Sequence, residues 1–347
     1  MRRWMSSKTP EIGFKSARRE LIILASMLLF SFSLLGCEGG ANKVPSASAT
    51  GSGASSSPTS RSATTVILPP PNLAHGFSHS HIFVIVMENL GYSQALSTPA
   101  ISALAKRWAY ASQYYAVTHP SLPNYLSLIG GSIFSITSDC VDCFVSAPSL
   151  ASEMSQKGIS WSAYMESLPS DCYLSPYTPD GLYAGKHDPF IYFTGIRSSA
   201  TLCQSIKPLH ELTGLLDAKS KALPSFIWIT PNLCNDGHNC SPTLAGLWLT
   251  SMVDEIIKSP TWQNAGALFV TWDEGNGGDF TGVGNNGEVT NSGGGGHVLT
   301  LVIEPNLAPG TVFRQPMNHY SLLQSVEANF GLPLLGNSAD PAIHPLP

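Results

Sequence analysis

Two short acidic stretches stand directly behind apolar runs in this 347-residue chain: Glu88-Asn89 follows Ile82 to Met87, and Asp273-Glu274 follows Ala267 to Trp272. Three carboxylates and an amide oxygen delivered by segments of buried character repel one another in a poorly solvated cleft unless a cation joins them. Oxygen ligands suit magnesium, calcium or manganese, and zinc if a histidine takes part. Glu88, Asn89, Asp273 and Glu274 are therefore expected to hold a divalent metal ion. The competing reading makes each an exposed strand-end acid paired with its own lysine or arginine.

A second group carries nucleophilic and acid-base chemistry. Ser121 lies within Thr118-His119-Pro120-Ser121-Leu122-Pro123-Asn124-Tyr125-Leu126, just ahead of a helix-like run. Free backbone N–H groups and the helix dipole favour an anion there, but a serine in that place is also an ordinary N-cap. Asp236 and His238 flank Gly237 in a loop between Cys234 and Cys240. They would orient water, bind phosphate or hold a second metal, and a plain surface turn is the alternative. His297 follows Gly293 to Gly296, a run that permits close backbone approach to a ligand or serves only as a tether. The stretch Gly275 to Gly296 holds 10 of the 31 glycines and is expected to be a mobile loop beside the metal site.

Several elements must position these groups. Uniformly apolar runs at Ile82 to Met87, Trp161 to Met165, Phe226 to Thr230, Ala267 to Trp272 and Val298 to Ile303 read as strands of a parallel sheet covered on both faces. Helices are expected around Ala100 to Ala109, Asn124 to Ile129, Ser149 to Lys157, Leu209 to Ala218, Leu244 to Lys258 and Tyr320 to Phe330. The alternation predicts an α/β sandwich in a single domain spanning 75–347. Ligands of such sheets sit beyond the carboxyl ends of the strands. Glu88-Asn89, the Asn232 to His238 loop and Asp273-Glu274 each follow a strand at that edge.

The first 36 residues place six Lys and Arg ahead of an apolar run, Leu21 to Leu35. The run falls short of the roughly 20 residues of a spanning helix and reads as a secretory signal. It ends Leu34-Leu35-Gly36-Cys37, which resembles a bacterial lipobox, so Cys37 is expected to carry lipid and tether the chain to a membrane. Residues 37–74 are rich in Gly, Ser, Ala, Thr and Pro and read as a flexible stalk. The expected localisation is an exported, membrane-anchored bacterial lipoprotein, periplasmic or on the cell surface. Without residues 1–36 there remain 12 Lys and Arg against 21 Asp and Glu, a net charge of −9 that argues against general nucleic-acid binding. Six cysteines remain besides Cys37, and sequence order suggests Cys140 with Cys143, Cys172 with Cys203, and Cys234 with Cys240. Zinc bound by cysteine pairs is the rival, but no second C-x-x-C is present.

Six blocks taken together resemble the phosphoesterase family of the alkaline-phosphatase-like superfamily, which includes bacterial phospholipase C and acid phosphatase enzymes. They are V-M-E-N at Val86 to Asn89, H-P-S-L-P-N-Y-L at His119 to Leu126, W-S-A-Y-M-E at Trp161 to Glu166, K-H-D-P-F at Lys186 to Phe190, P-N-L-C-N-D-G-H at Pro231 to His238, and W-D-E-G at Trp272 to Gly275. The resemblance implies a three-layer αβα sandwich with a mainly parallel sheet. It also implies a metal-dependent phosphoric-ester hydrolase in which Glu88, Asn89, Asp273 and Glu274 bind the metal. Ser121 would be the nucleophile, passing through a phosphoserine, and His187 would bind the phosphoryl group or protonate the leaving oxygen. Within that class acid-phosphatase-like activity is the expectation, and phospholipase C cleavage of phospholipid headgroups is the alternative. A non-catalytic surface-binding lipoprotein is the alternative of another class, whereas a sulfatase-type enzyme is disfavoured because Tyr125 stands where a C/S-x-P-x-R setting needs arginine. Gly246 replaces an aspartate that often precedes the tryptophan of a D-x-W-L block, which puts in doubt any carboxylate support for the His238 loop from that position.

Overall fold

The computed structural model describes residues 79–216 and 223–346, so the expected signal and tether lie outside the described residues. Eleven strands are found among the described residues: β1 (His81–Met87), β2 (Ala109–Tyr115), β3 (Trp161–Met165), β4 (Ile206–Pro208), β5 (Phe226–Thr230), β6 (Gly266–Trp272), β7 (Gly282–Val283), β8 (Val289–Thr290), β9 (His297–Ile303), β10 (Val312–Phe313) and β11 (Met317–Asn318). All but β7 and β8 join one sheet in the order β10-β2-β9-β6-β1-β5-β3-β4, with β11 also on β2.

Strand β1 lies between β5 and β6, parallel to both, with Val84 level with Trp228 on one side and Phe269 on the other. Every residue of β1 after His81, and all of β3, β5 and β6, is buried. Continuous apolar runs arise because both faces of the sheet are covered. Helices Pro99–Arg107 and Pro242–Lys258 pack together, as do Ser121–Gly130 and His319–Asn329. Strand β9 is the exception to the parallel arrangement, running antiparallel to β6 and to β2. Reversal twice over leaves β2 pointing the same way as β6. The carboxyl ends of β1, β2, β5 and β6 and the amino end of β9 thus share one edge.

Strand β2 has no counterpart in the sequence reading, which ran a helix into its first residue. Ser112 and Gln113 interrupt its apolar pattern, and their side chains donate to the carbonyls of Phe313 and Arg314. The three disulfides form in the order expected, Cys140–Cys143, Cys172–Cys203 and Cys234–Cys240. The glycine-rich segment differs from a mobile loop. Gly275 N–H donates to Gly295 O, Gly294 N–H to Phe280 O, Gly295 N–H to Ala116 O and Gly296 N–H to Thr281 O. A Cβ on Gly295 would lie 2.1 Å from Thr118 O, so glycine serves close packing here.

Candidate active site

Ser121 opens the helix Ser121–Gly130 but does not cap it; the N-cap is Pro120, and no side chain bonds back to the first turn from that position. The buried Ser121 hydroxyl instead faces Glu88 Oε2 at 3.2 Å and Glu274 Oε1 at 3.4 Å. The Leu122 N–H freed at the helix start donates to Asp139 Oδ1 at 3.0 Å. Two residues of the same block for which spacing alone gives no role, His119 and Tyr125, hold the carboxylates. Tyr125 donates its hydroxyl to Glu88 Oε1 at 2.6 Å, and His119 Nδ1 bonds Glu274 Oε2 while its Nε2 meets Asp279 O. Tyr125 is one helical turn beyond Ser121, which puts both side chains on one face.

Asp273 is fully buried at the end of β6, and its Oδ1 accepts the Asn89 N–H at 3.1 Å. Asn89 Oδ1, Asp273 Oδ2 and Asp236 Oδ2 are buried oxygens without a hydrogen-bond partner. Buried oxygens of that kind cost free energy unless something satisfies them. Burial first, then the nearby Asp273 and Asp236, pushes the Glu88 carboxyl well above its usual range. Burial and then Glu274 do the same to Asp273. A divalent cation would satisfy the orphaned oxygens of Asn89 and Asp273 and favour the ionised carboxylates that burial opposes.

His187 lies on the other side of Glu88. Its Nε2 is 3.2 Å from Glu88 Oε1 and its Nδ1 is 3.3 Å from Asp236 Oδ2, yet neither nitrogen is aligned for a hydrogen bond. The ring stacks on Tyr125 with centroids 5.3 Å apart. Burial, helped by Lys186 and His238, holds the His187 pKa well below the usual histidine value. Burial pushes Asp236 up to about 7 against the opposing His238 N–H bond. Donor atoms of Glu88, His187 and His238 come within 4.8 Å of one another, the one such trio of His, Cys, Asp and Glu among the described residues, and it shares only Glu88 with the ligands expected from sequence. The loop bearing Asp236 and His238 is held by the Cys234–Cys240 disulfide and by Glu166, which accepts from Asn232 N–H, Asn235 Nδ2 and Trp248 Nε1. Gly246 faces Thr98, Ala100 and Ile101 of the neighbouring helix, so its missing carboxylate is not what supports that loop.

His297 does not join this group. Its ring stacks with Tyr92 and Tyr115, with centroids 4.1 and 4.8 Å away, and its Nε2 meets Ser112 O at 2.9 Å. The glycine run carries its backbone to the right edge, but the described contacts direct the side chain into an aromatic stack. Sequence spacing offered no signal for that direction.

A profile of the Phosphoesterase family matches residues 74–333. The chain belongs to the phosphoesterase family. This phosphoesterase-family chain is 32% identical over 272 residues to a probable acid phosphatase of Kluyveromyces lactis, covering 75% of the chain and 60% of that protein. It is 30% identical over 281 residues to a phosphate-repressible acid phosphatase of Penicillium chrysogenum, covering 79% and 64%. A phosphatidylinositol-3-phosphatase of Mycobacterium tuberculosis is 29% identical over 261 residues, with 74% and 79% covered. The chain thus spans less than two thirds of the length of these fungal relatives. An alkaline phosphatase superfamily protein of Vibrio parahaemolyticus shares the fold, with a TM-score of 0.50 at 11% identity over 76% of this chain and 70% of that one. The expected localisation as an exported, membrane-anchored bacterial lipoprotein does not stand. Acid phosphatases of Kluyveromyces, Penicillium and Aspergillus carry the likeness, which supports neither a bacterial origin nor lipid on Cys37.

Proposed function

We propose that residues 75–347 form the catalytic domain of a metal-dependent, acid-phosphatase-like hydrolase of phosphoric esters. The observation that carries this reading is the Ser121 hydroxyl, buried between Glu88 and Glu274 rather than spent on its own helix. Glu88, Asn89, Asp273 and Glu274 would hold a divalent ion, with oxygen donors favouring magnesium, calcium or manganese and nearby His187 and His238 admitting zinc. A bound cation supplies positive charge that acidifies a nearby hydroxyl and offsets charge developing on phosphoryl oxygens.

The chain's own groups perform the remaining steps. Ser121 Oγ passes its proton to a facing carboxylate and forms a bond to phosphorus as the ester P–O bond breaks, leaving a phosphoserine and an alkoxide. The Asp236 and His187 pair, with Asp236 raised by burial to about 7 and so protonated in part near neutral pH, gives the departing oxygen its proton. Water then attacks the phosphoserine and gives a proton to that pair, while the facing carboxylate returns its proton to Ser121 Oγ as the Oγ–P bond breaks, releasing inorganic phosphate.

Purified protein should hydrolyse an aryl phosphate, lose that activity to a chelator, and regain it with a divalent ion. Ser121→Ala should lower kcat by roughly a hundredfold or more. Turnover that survives both chelation and Ser121→Ala overturns the reading. An aryl phosphorylcholine measured alongside separates monoesterase from diesterase activity.

A further inference from the structure

The K-H-D-P-F block contributes a second side chain, Lys186, beside His187. Lys186 sits in the short turn Gly185–His187, immediately before the buried histidine. Its ammonium is 2.8 Å from Asp139 Oδ2 and 3.4 Å from His238 Nε2, with only 15% of the side chain exposed. Asp139 is shared: its other oxygen takes the Leu122 N–H next to Ser121. The ammonium is therefore tied through one carboxylate to the backbone that carries the serine. Its positive charge is felt at Glu88 and, in return, the negative charges of Glu88 and Asp273 act on it.

We propose that Lys186 is the specificity-determining residue that makes this site prefer dianionic phosphate monoesters over monoanionic diesters. The proposal rests on the hydrolase reading above. Four carboxylates, Glu88, Asp236, Asp273 and Glu274, crowd the edge where an anionic substrate must enter. Fixed positive charge attracts a dianion more strongly than a monoanion, and the difference grows where water is scarce. Lysine is a compact point charge, suited to a phosphate oxygen that needs no bidentate fork. Pairing with Asp139 holds the ammonium in place at the rim, beside His238, without a flexible side chain having to be ordered when substrate binds.

The test compares kcat/KM for an aryl phosphate with that for a methyl aryl phosphate, a monoanionic diester, using the whole chain. Lys186→Gln keeps an amide donor for Asp139 but removes the charge, so a purely structural tether predicts no change in the ratio. The expected result is a fall of about tenfold or more in the monoester to diester ratio, with Lys186→Arg restoring most of it. A raised inhibition constant for inorganic phosphate should accompany it. An unchanged ratio in folded Lys186→Gln overturns the proposal. If that variant does not fold, Asp139→Asn decides, because an ammonium relieved of its counter-charge should raise the ratio, and an unchanged ratio again overturns it. Failure of the hydrolase reading looks different: the unaltered protein then turns over neither ester.

Discussion

At the scale of single residues, Tyr125 tests the proposed site through its bond to Glu88. Its hydroxyl donates to Glu88 Oε1 at 2.6 Å in full burial, and burial raises its pKa so that it stays a donor. Tyr125→Phe keeps the ring stacked on His187 and removes only that bond. If Glu88 holds the proposed ion, its orienting partner matters: the variant should lose roughly tenfold in activity or metal affinity, read by metal titration against kcat, and about 1–3 kcal/mol of stability from the buried oxygen left without its donor. Unaltered metal titration and kcat would show that Glu88 orients itself. Glu88, Asp273, Glu274 and Ser121 were legible in the sequence because each stands where an apolar run or a helix start delivers it to one edge. His119 and Tyr125 were equally visible as letters in the same block, but their service to Glu274 and Glu88 depends on how the helix faces the sheet. His297 went astray for the same reason: strand position fixes a backbone, while neighbouring aromatic rings decide where the side chain lies.

At the scale of elements, the glycine-rich segment is a packed part of the site's floor. Gly295→Ala would drive a Cβ to within 2.1 Å of Thr118 O, three residues ahead of Ser121. The backbone must shift, so the variant should lose about 1–3 kcal/mol of stability and most of its activity. Gly278→Ala meets nothing within 4 Å and serves as the control, expected to melt like the parent. Equal melting of both variants would contradict the close-packing account. Among strands, those buried on both faces announced themselves as unbroken apolar runs. Strand β2 did not, because its partly exposed middle carries Ser112 and Gln113, whose hydrogen bonds reach the chain at 313 and 314 and are invisible to local pattern.

At the scale of the whole molecule, Glu327 couples stability to pH through a group outside the candidate site. Its carboxyl accepts from Leu335 N–H at 2.9 Å and Ser338 Oγ at 2.6 Å, joining helix His319–Asn329 to the segment after it. Burial outweighs these bonds and lifts its pKa from 4.5 to about 8. The folded state therefore binds a proton that the unfolded chain releases. Its contribution is complete below pH 4.5 and is lost as pH climbs toward 8. Glu327→Gln, neutral throughout, should flatten the fall in unfolding free energy across that interval, where the slope amounts to at most about 1.4 kcal/mol per pH unit. Denaturant titrations at several pH values measure it, and an undiminished slope in the variant would assign the effect to other groups. The join between Asn89 and Asp273 spans 184 positions of the chain. A ribosome-bound polypeptide consequently cannot bring Asn89 and Asp273 together until β6 has emerged and docked on β1, so the proposed site assembles late in synthesis.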